Sequence, residues 1–214
     1  MDQEAEIINQ DTRIERIKNF FINNKKSLIS IFIIIILIIF GYFFYKDYKN
    51  KQKTKLAEKY NYITTAINDN NKSHIVNELK DIILAKDSTY SPLALYFVID
   101  NSLITSKNEV NDFFDTVINE TKLEKEIKNL IIYKKGLYNA EFESEDNLLN
   151  ILKPLLNSES IWRAHALYLL AEYFYSKGEK KKSKEFFQKI LEIKNVNQNI
   201  FIDAQKRIQR DFSE

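Results

Sequence analysis

The N-terminal end of the chain is polar, and one short apolar pattern stands out in it. Ile14, Ile17 and Phe21 fall at i, i+3 and i+7, which predicts a short helix over residues 12–23. A different pattern follows. Residues 27–45 carry no charge, and their centre is an unbroken run of Ile, Leu and Phe from Ile31 to Phe40. Nineteen residues at helical rise reach roughly 28 Å, the thickness of a bilayer's hydrocarbon core. A helix that is apolar on every face has no use for a polar side. Tyr42 and Tyr45 sit at the far end, where aromatic rings favour the interface. No small-residue cleavage site follows; the run passes through Phe43, Phe44 and Tyr45 into Lys46. This predicts an uncleaved transmembrane anchor.

Beyond the anchor the apolar positions recur at helical spacing, and no segment shows sustained alternation. Helices are predicted over residues 46–69, 72–85, 91–105, around 113–118, and over 123–139, 144–156, 161–177, 179–193 and 199–212. Ser91-Pro92 reads as an N-cap followed by proline at the first helical position. With only 3 Gly and 2 Pro, a sandwich or barrel with many tight turns is disfavoured. The chain therefore divides into a tail (1–26), a transmembrane helix (27–45) and an all-α domain (46–214) long enough for its own core. A fragment from about Lys55 to Glu214 is expected to fold alone.

One stretch carries a finer pattern. Leu167, Leu170, Ala171 and Phe174 share a helix face, Gly178 falls at the turn, and Ser183, Phe187 and Ile190 share a face of the next helix. That order of large, small, aromatic and turn residues is the tetratricopeptide (TPR) pattern. Small residues at 171 and 183 let two helices approach closely, and Gly178 suits a left-handed helix end. The register recurs upstream at Gly136, Ser102 and Ala66, with spacings of 35, 34 and 36 residues. Phe187 is preceded by Leu152, Ile118 and Ile82, and Leu167 by Ile132, Val98 and Tyr62. Lys135 and Asn101 break it, standing where Leu170 predicts an apolar residue. The expected architecture is an all-α, TPR-like solenoid of stacked hairpins, with an irregular helical bundle as the alternative.

Charge changes the picture little. There are 32 basic and 30 acidic residues, so nothing favours nucleic acid. Lysines and arginines flank both ends of the anchor, from Arg13 to Lys26 before it and from Lys46 to Lys59 after it, which leaves orientation open. There is no cysteine, which excludes disulfides, cysteine-ligated metals and thiol chemistry. No phosphate-binding loop, nucleophile elbow or dinucleotide fingerprint occurs. His74 and His165 are far apart, and His165 reads as a structural, hydrogen-bonded residue. Glu124, Glu126, Glu141, Glu143 and Glu145 read as a solvated face, as does the lysine run Lys177, Lys180, Lys181, Lys182 and Lys184. No catalytic residue, cofactor, metal or small-molecule substrate is expected. Trp162, Arg163, Tyr168 and Tyr173 are the candidate partner contacts, since stacked hairpins form concave protein-binding surfaces. Trp162 has a competing reading as a core residue.

The order of features resembles the YfgM-type ancillary subunits of the Sec translocon. The resemblance rests on the tail pattern Arg13-Ile14-Glu15-Arg16-Ile17-Lys18, the pair Trp162-Arg163, the segment 166–171, Gly178-Glu179 and the segment 187–190. Ser183 departs from it, since the family usually has Ala there. The resemblance implies a bacterial inner-membrane protein with a cytoplasmic N-terminus and a periplasmic domain. It also implies partners in the SecYEG translocon and periplasmic chaperones. A membrane-tethered helical scaffold, cytosolic or acting in envelope assembly or division, is the alternative.

Overall fold

The computed structural model describes residues 15–16, 18–67 and 71–212. Among these the chain is helical throughout its ordered elements, with no strand. Two compact units divide at Lys55, the second being Leu56–Glu214.

In the first unit, residues 15, 16 and 18–23 are helical, while 12–14 and 17 of the expected short helix lie outside the described residues. Helix α1 then runs Lys25–Ala66, 42 residues, and contains one stretch long and apolar enough to cross a membrane, none of it buried. The hydroxyl of Ser30 donates to the Lys26 carbonyl at 3.0 Å, so this polar group in the apolar stretch finds its acceptor one turn back. The helix was expected to reach 69; it ends at Ala66, and 68–70 lie outside the described residues.

The second unit takes the end of α1 from Leu56 and continues with α2 (Lys72–Leu84), α3 (Tyr90–Asp100), α4 (Lys107–Glu120), α5 (Lys125–Asn139), α6 (Glu145–Leu156), α7 (Arg163–Ser176), α8 (Lys180–Leu191) and α9 (Gln198–Phe212). From α2 onward each helix packs on the next, and α2 also meets α4, α5 meets α7 and α7 meets α9. First- and second-neighbour packing of this kind is how a helical solenoid buries a continuous core. The buried residues form two clusters. One runs from Ile63 to Phe174; the other holds Ala164, Leu167, Ala171, Phe187, Ile190 and Ala204. Helix α7 feeds both. Ala166, Leu170, Tyr173 and Phe174 enter the first, and Ala164, Leu167 and Ala171 the second.

The small residues do what their size predicts at two of the four register sites. Ala171 is fully buried, and the buried Ser183 hydroxyl donates to its carbonyl at 2.8 Å. Serine thus stands in for alanine without leaving a polar group unpaired. A Cβ at Gly136 would collide with the buried Leu152 side chain, whose Cγ would lie 2.9 Å away. The other two sites need correction. Ser102 lies outside α3, exposed and at φ 49°, and Ala66 is merely the last residue of α1. Tyr62, expected in the core, is 70% exposed, whereas Val98 and Ile132 are buried as the register requires. Lys135, which broke the register, reaches out to Asp115 at 2.7 Å.

Helix ends explain the shifted boundaries. Helix α3 was expected to run to 105 but stops at Asp100. There the Leu103 amide donates to Val98 O at 2.9 Å and the Ser102 amide to Ile99 O at 3.0 Å. Gly178, at φ 78°, closes α7 the same way: the Glu179 amide donates to Phe174 O at 2.9 Å and the Gly178 amide to Tyr175 O at 3.0 Å. Both are Schellman motifs. At α2 the left-handed residue is Lys86, φ 56°, and a side chain completes the motif. The Asp87 amide donates to Ser91 Oγ at 2.9 Å, and that hydroxyl donates to Ile82 O at 2.8 Å. Ser91 is therefore not the N-cap of α3 but a buried stitch between two helices. The capping role falls to Asp87, whose carboxylate accepts from the Thr89 and Tyr90 amides at 2.9 and 2.8 Å.

Two outcomes follow. The fragment Leu56–Glu214 holds both buried clusters and is expected to fold alone with a helical circular dichroism spectrum; a coil or strand spectrum would overturn the architecture. Ala171→Trp forces a large ring into a closed helix–helix contact and is expected to lower stability by roughly 1–3 kcal/mol or more. Lys181→Trp, at an exposed position, should leave the melting temperature nearly unchanged. Equal melting temperatures for the two variants would remove the register.

Candidate partner-binding surface

The four candidate contacts lie on one short stretch of chain but do not converge. Trp162 caps the N-terminal end of α7 and is half-buried. Its indole stacks on Tyr133 of α5, centroids 5.7 Å apart and planes 20° apart, and meets the His165 ring at 4.9 Å. His165 is also tied to the chain, with Nδ1 3.3 Å from the Ile161 carbonyl. Ser160 sets up this corner. Its hydroxyl accepts from the Trp162 amide at 3.1 Å and donates to Glu126 at 2.7 Å. Arg163 is half-buried, and its Nε has no hydrogen-bond partner among the described residues.

Tyr168 points to a different side of α7, toward α8 and α9. Its ring meets Phe187 edge-on at 5.3 Å, and it lines an open cleft with Asp203, Lys206, Arg207, Gln209 and Arg210 of α9. Burial, and to a smaller degree the Glu172 carboxylate, push its hydroxyl pKa up. Tyr173 is 7% exposed, packs edge-on against Phe174, and donates its hydroxyl to the Glu143 carbonyl at 3.2 Å. It is a core residue in this fold, so a surface contact through its ring requires the core to open. The candidate surface keeps Trp162 on the α5 side and Tyr168 on the α9 side.

The glutamates are tethers more than a free face. Glu126 accepts from Ser160 and Asn129, Glu143 accepts from Asn147 at 2.7 Å, and Glu145 takes Lys182 at 2.8 Å. Glu124 and Glu141 are exposed. Hydrogen bonds to Glu145 and then Glu179 raise the Lys182 pKa. Lys177, Lys180 and Lys181 are exposed as expected. Among the described residues no three carboxylate, histidine or cysteine side chains gather as a metal site would require.

Two features were not legible from the sequence. Tyr133, the partner of Trp162, lies a full hairpin upstream, and nothing local marks it. Next to it, Lys134 places Nζ 4.3 Å from the Tyr96 ring centre, and burial raises the pKa of the Tyr96 hydroxyl. Leu93, Ile127, Leu137 and Ile161 are exposed apolar residues on α3, α5 and the turn before α7, Ile161 at 69%. The second missed feature is Arg207. Its side chain is only 13% exposed, it pairs with Glu172 at 2.6 Å and with Asp211, and it lies 4.6 Å from the Tyr175 ring centre. This cluster fastens α9 to α7.

A family model described as a tetratricopeptide repeat-like domain matches residues 18–110. The match covers the anchor and the first helices of the domain, where the internal register was weakest, and stops short of the stretch 167–190 that carried it best. No curated protein and no solved structure matches the chain. The class is thus an all-α, TPR-like helical protein, a fold that typically serves as a protein-interaction scaffold, with one apolar helix compatible with a membrane anchor.

The α9 cluster gives a pH dependence. A hydrogen bond from Arg210, then the charges of Arg207 and Arg210, hold the Asp211 carboxyl below the usual carboxylate range. Its folded pKa is below its unfolded one, so its stabilisation is complete above about pH 4 and lost as pH falls through the folded value. Asp211→Asn should therefore melt lower than the native chain at neutral pH and lose less melting temperature on acidification. Parallel melting-temperature curves for the two proteins would overturn this role.

Proposed function

We propose that the protein is a non-enzymatic, membrane-anchored interaction module, held by residues 27–45, that works as an ancillary subunit of the Sec translocon. In this reading residues 1–26 lie in the cytoplasm. The domain, from residue 46 on, lies in the periplasm and handles newly exported chains together with periplasmic chaperones. The observation that carries the anchored module is helix α1: an apolar stretch with no buried residue, followed by a closed helical domain of TPR-like kind. The translocon and the orientation rest on the resemblance in the tail, in Trp162-Arg163 and in the last hairpin. Trp162, Arg163 and Tyr168 are the proposed contacts, Trp162 on the α5 side and Tyr168 on the α9 side of α7.

A membrane-tethered cytosolic scaffold is the second reading, favoured by the lysines that follow the span. Protease treatment of spheroplasts separates the two. The domain should be degraded while the cytoplasm stays sealed, and crosslinkers placed at Lys49 and Trp162 should capture translocon subunits or periplasmic chaperones. Survival of the domain beside a degraded periplasmic control would make the cytosolic scaffold the better reading. Degradation without either capture would keep the orientation and remove the partner.

A further inference from the structure

The exposed length of α1 just past the span has two unlike faces. Lys46, Lys49 and Lys53 fall at i, i+3 and i+7, which puts them on one face of the helix. Tyr42 and Tyr45 lie one turn or less before Lys46, and Lys49 Nζ stands 5.8 Å from the centre of the Tyr45 ring. All five are exposed, and Lys46, Lys49 and Lys53 have no ion pair among the described residues. The other face neutralises itself: Asp47 and Lys51 pair at 2.8 Å, i to i+4. The segment therefore presents a cationic stripe bordered by interfacial aromatic rings, and its one acid is turned aside.

Distance decides which lysines matter. At 1.5 Å per residue, Lys46 and Lys49 lie within roughly 6 Å of the last apolar residue, and Lys53 at roughly 12 Å. The screening length is about 8–10 Å, and a lysine stem can lie down toward the headgroups. Lys46, Lys49 and Lys53 thus reach a charged membrane surface; Lys51, at roughly 9 Å, is as near but lies on the other face paired with Asp47, and lysines further along the helix are screened.

We propose that this stripe is a binding site for the headgroup phosphate of anionic phospholipids, with Tyr42 and Tyr45 seated at the interface below it. The proposal needs the span to lie in a bilayer, as the anchored reading has it, but not the translocon or the orientation. The chain has no cysteine, so Asn50→Cys gives a single labelling site in the full-length protein. The labelled protein is reconstituted in mixed phosphatidylcholine–phosphatidylglycerol vesicles. In one set the phosphatidylglycerol carries a headgroup-level quencher, and in the other the phosphatidylcholine carries it at the same mole fraction.

Phosphatidylglycerol should be preferred about fivefold, the preference should shrink with added salt, and Lys46→Gln/Lys49→Gln/Lys53→Gln should abolish it. Asp47→Asn/Lys51→Gln, which removes the neutral pair without changing the net charge, should leave it in place, and arginine at the three positions should restore it. Circular dichroism of the triple variant keeps a folding defect from being mistaken for lost binding. Equal quenching by the two lipids, or a preference that survives the triple variant, overturns the site. Failure of the protein to insert into the vesicles at all would instead overturn the anchored reading.

Discussion

The architecture depends on one constraint: α7 must pack into two buried clusters at once, through adjoining arcs of its surface. Its neighbours on one side belong to the long cluster that starts at Ile63, and those on the other to the cluster closed by α9. Only small residues permit this. Ala171 lets α8 approach until the Ser183 hydroxyl reaches a backbone carbonyl, and Gly136 gives Leu152 the same room one hairpin earlier. Interiors at crystal-like density have no slack for an added side chain at such points. The two sites are separated by about one repeat period, and between them they hold the last two hairpins in the same packing arrangement.

That constraint decides which parts of the fold are legible in sequence. Where a hairpin closes on small residues and a turn glycine, the pattern is visible, as from Leu167 to Ile190. Upstream the same geometry is reached by other means. Lys86 and Ser102 take the left-handed conformation that glycine takes at 178, which is strained for an L side chain, and neither residue announces it. Ser91 read as a helix cap because serine before proline does cap helices. Its hydroxyl instead bridges an amide and a carbonyl across a turn, a role fixed by tertiary packing. The polar break at Lys135 is explained only when Asp115 is seen beside it.

The candidate surface was less legible than the fold, for a geometric reason. Residues six apart on a helix, such as Trp162 and Tyr168, point in widely different directions, so closeness in sequence misled. Trp162 finds its stacking partner on α5, and Tyr168 finds its own surroundings on α8 and α9. Tyr173 sits five residues beyond Tyr168 and turns inward to the Glu143 carbonyl. Aromatic enrichment identified the right helix but not a single site. Arg207 escaped notice because a basic residue near a C-terminus normally reads as solvated. Here two carboxylates and two aromatic rings surround it.

Magnitude bears on the environment of the apolar stretch of α1. Between Ile29 and Phe44 the large apolar side chains, Ile36 excepted, are about half or more exposed in the folded chain. Burying one such side chain is worth roughly 1.5–3 kcal/mol, so a dozen left in water would cost tens of kcal/mol. A folded domain's whole net stability is about 5–15 kcal/mol. A hydrocarbon medium would recover that difference, which is the physical sense in which this stretch is compatible with a membrane anchor. The same uniformity says nothing about depth or side, because every face of the stretch is alike. What information α1 carries about its placement lies in its charged and aromatic ends: Lys25 and Lys26 before the span, Tyr42, Tyr45 and Lys46 after it. In a bilayer, basic residues at both ends and interfacial rings at one would limit how far the helix slides along the membrane normal, while the lysines on both sides leave its direction to be set by other means.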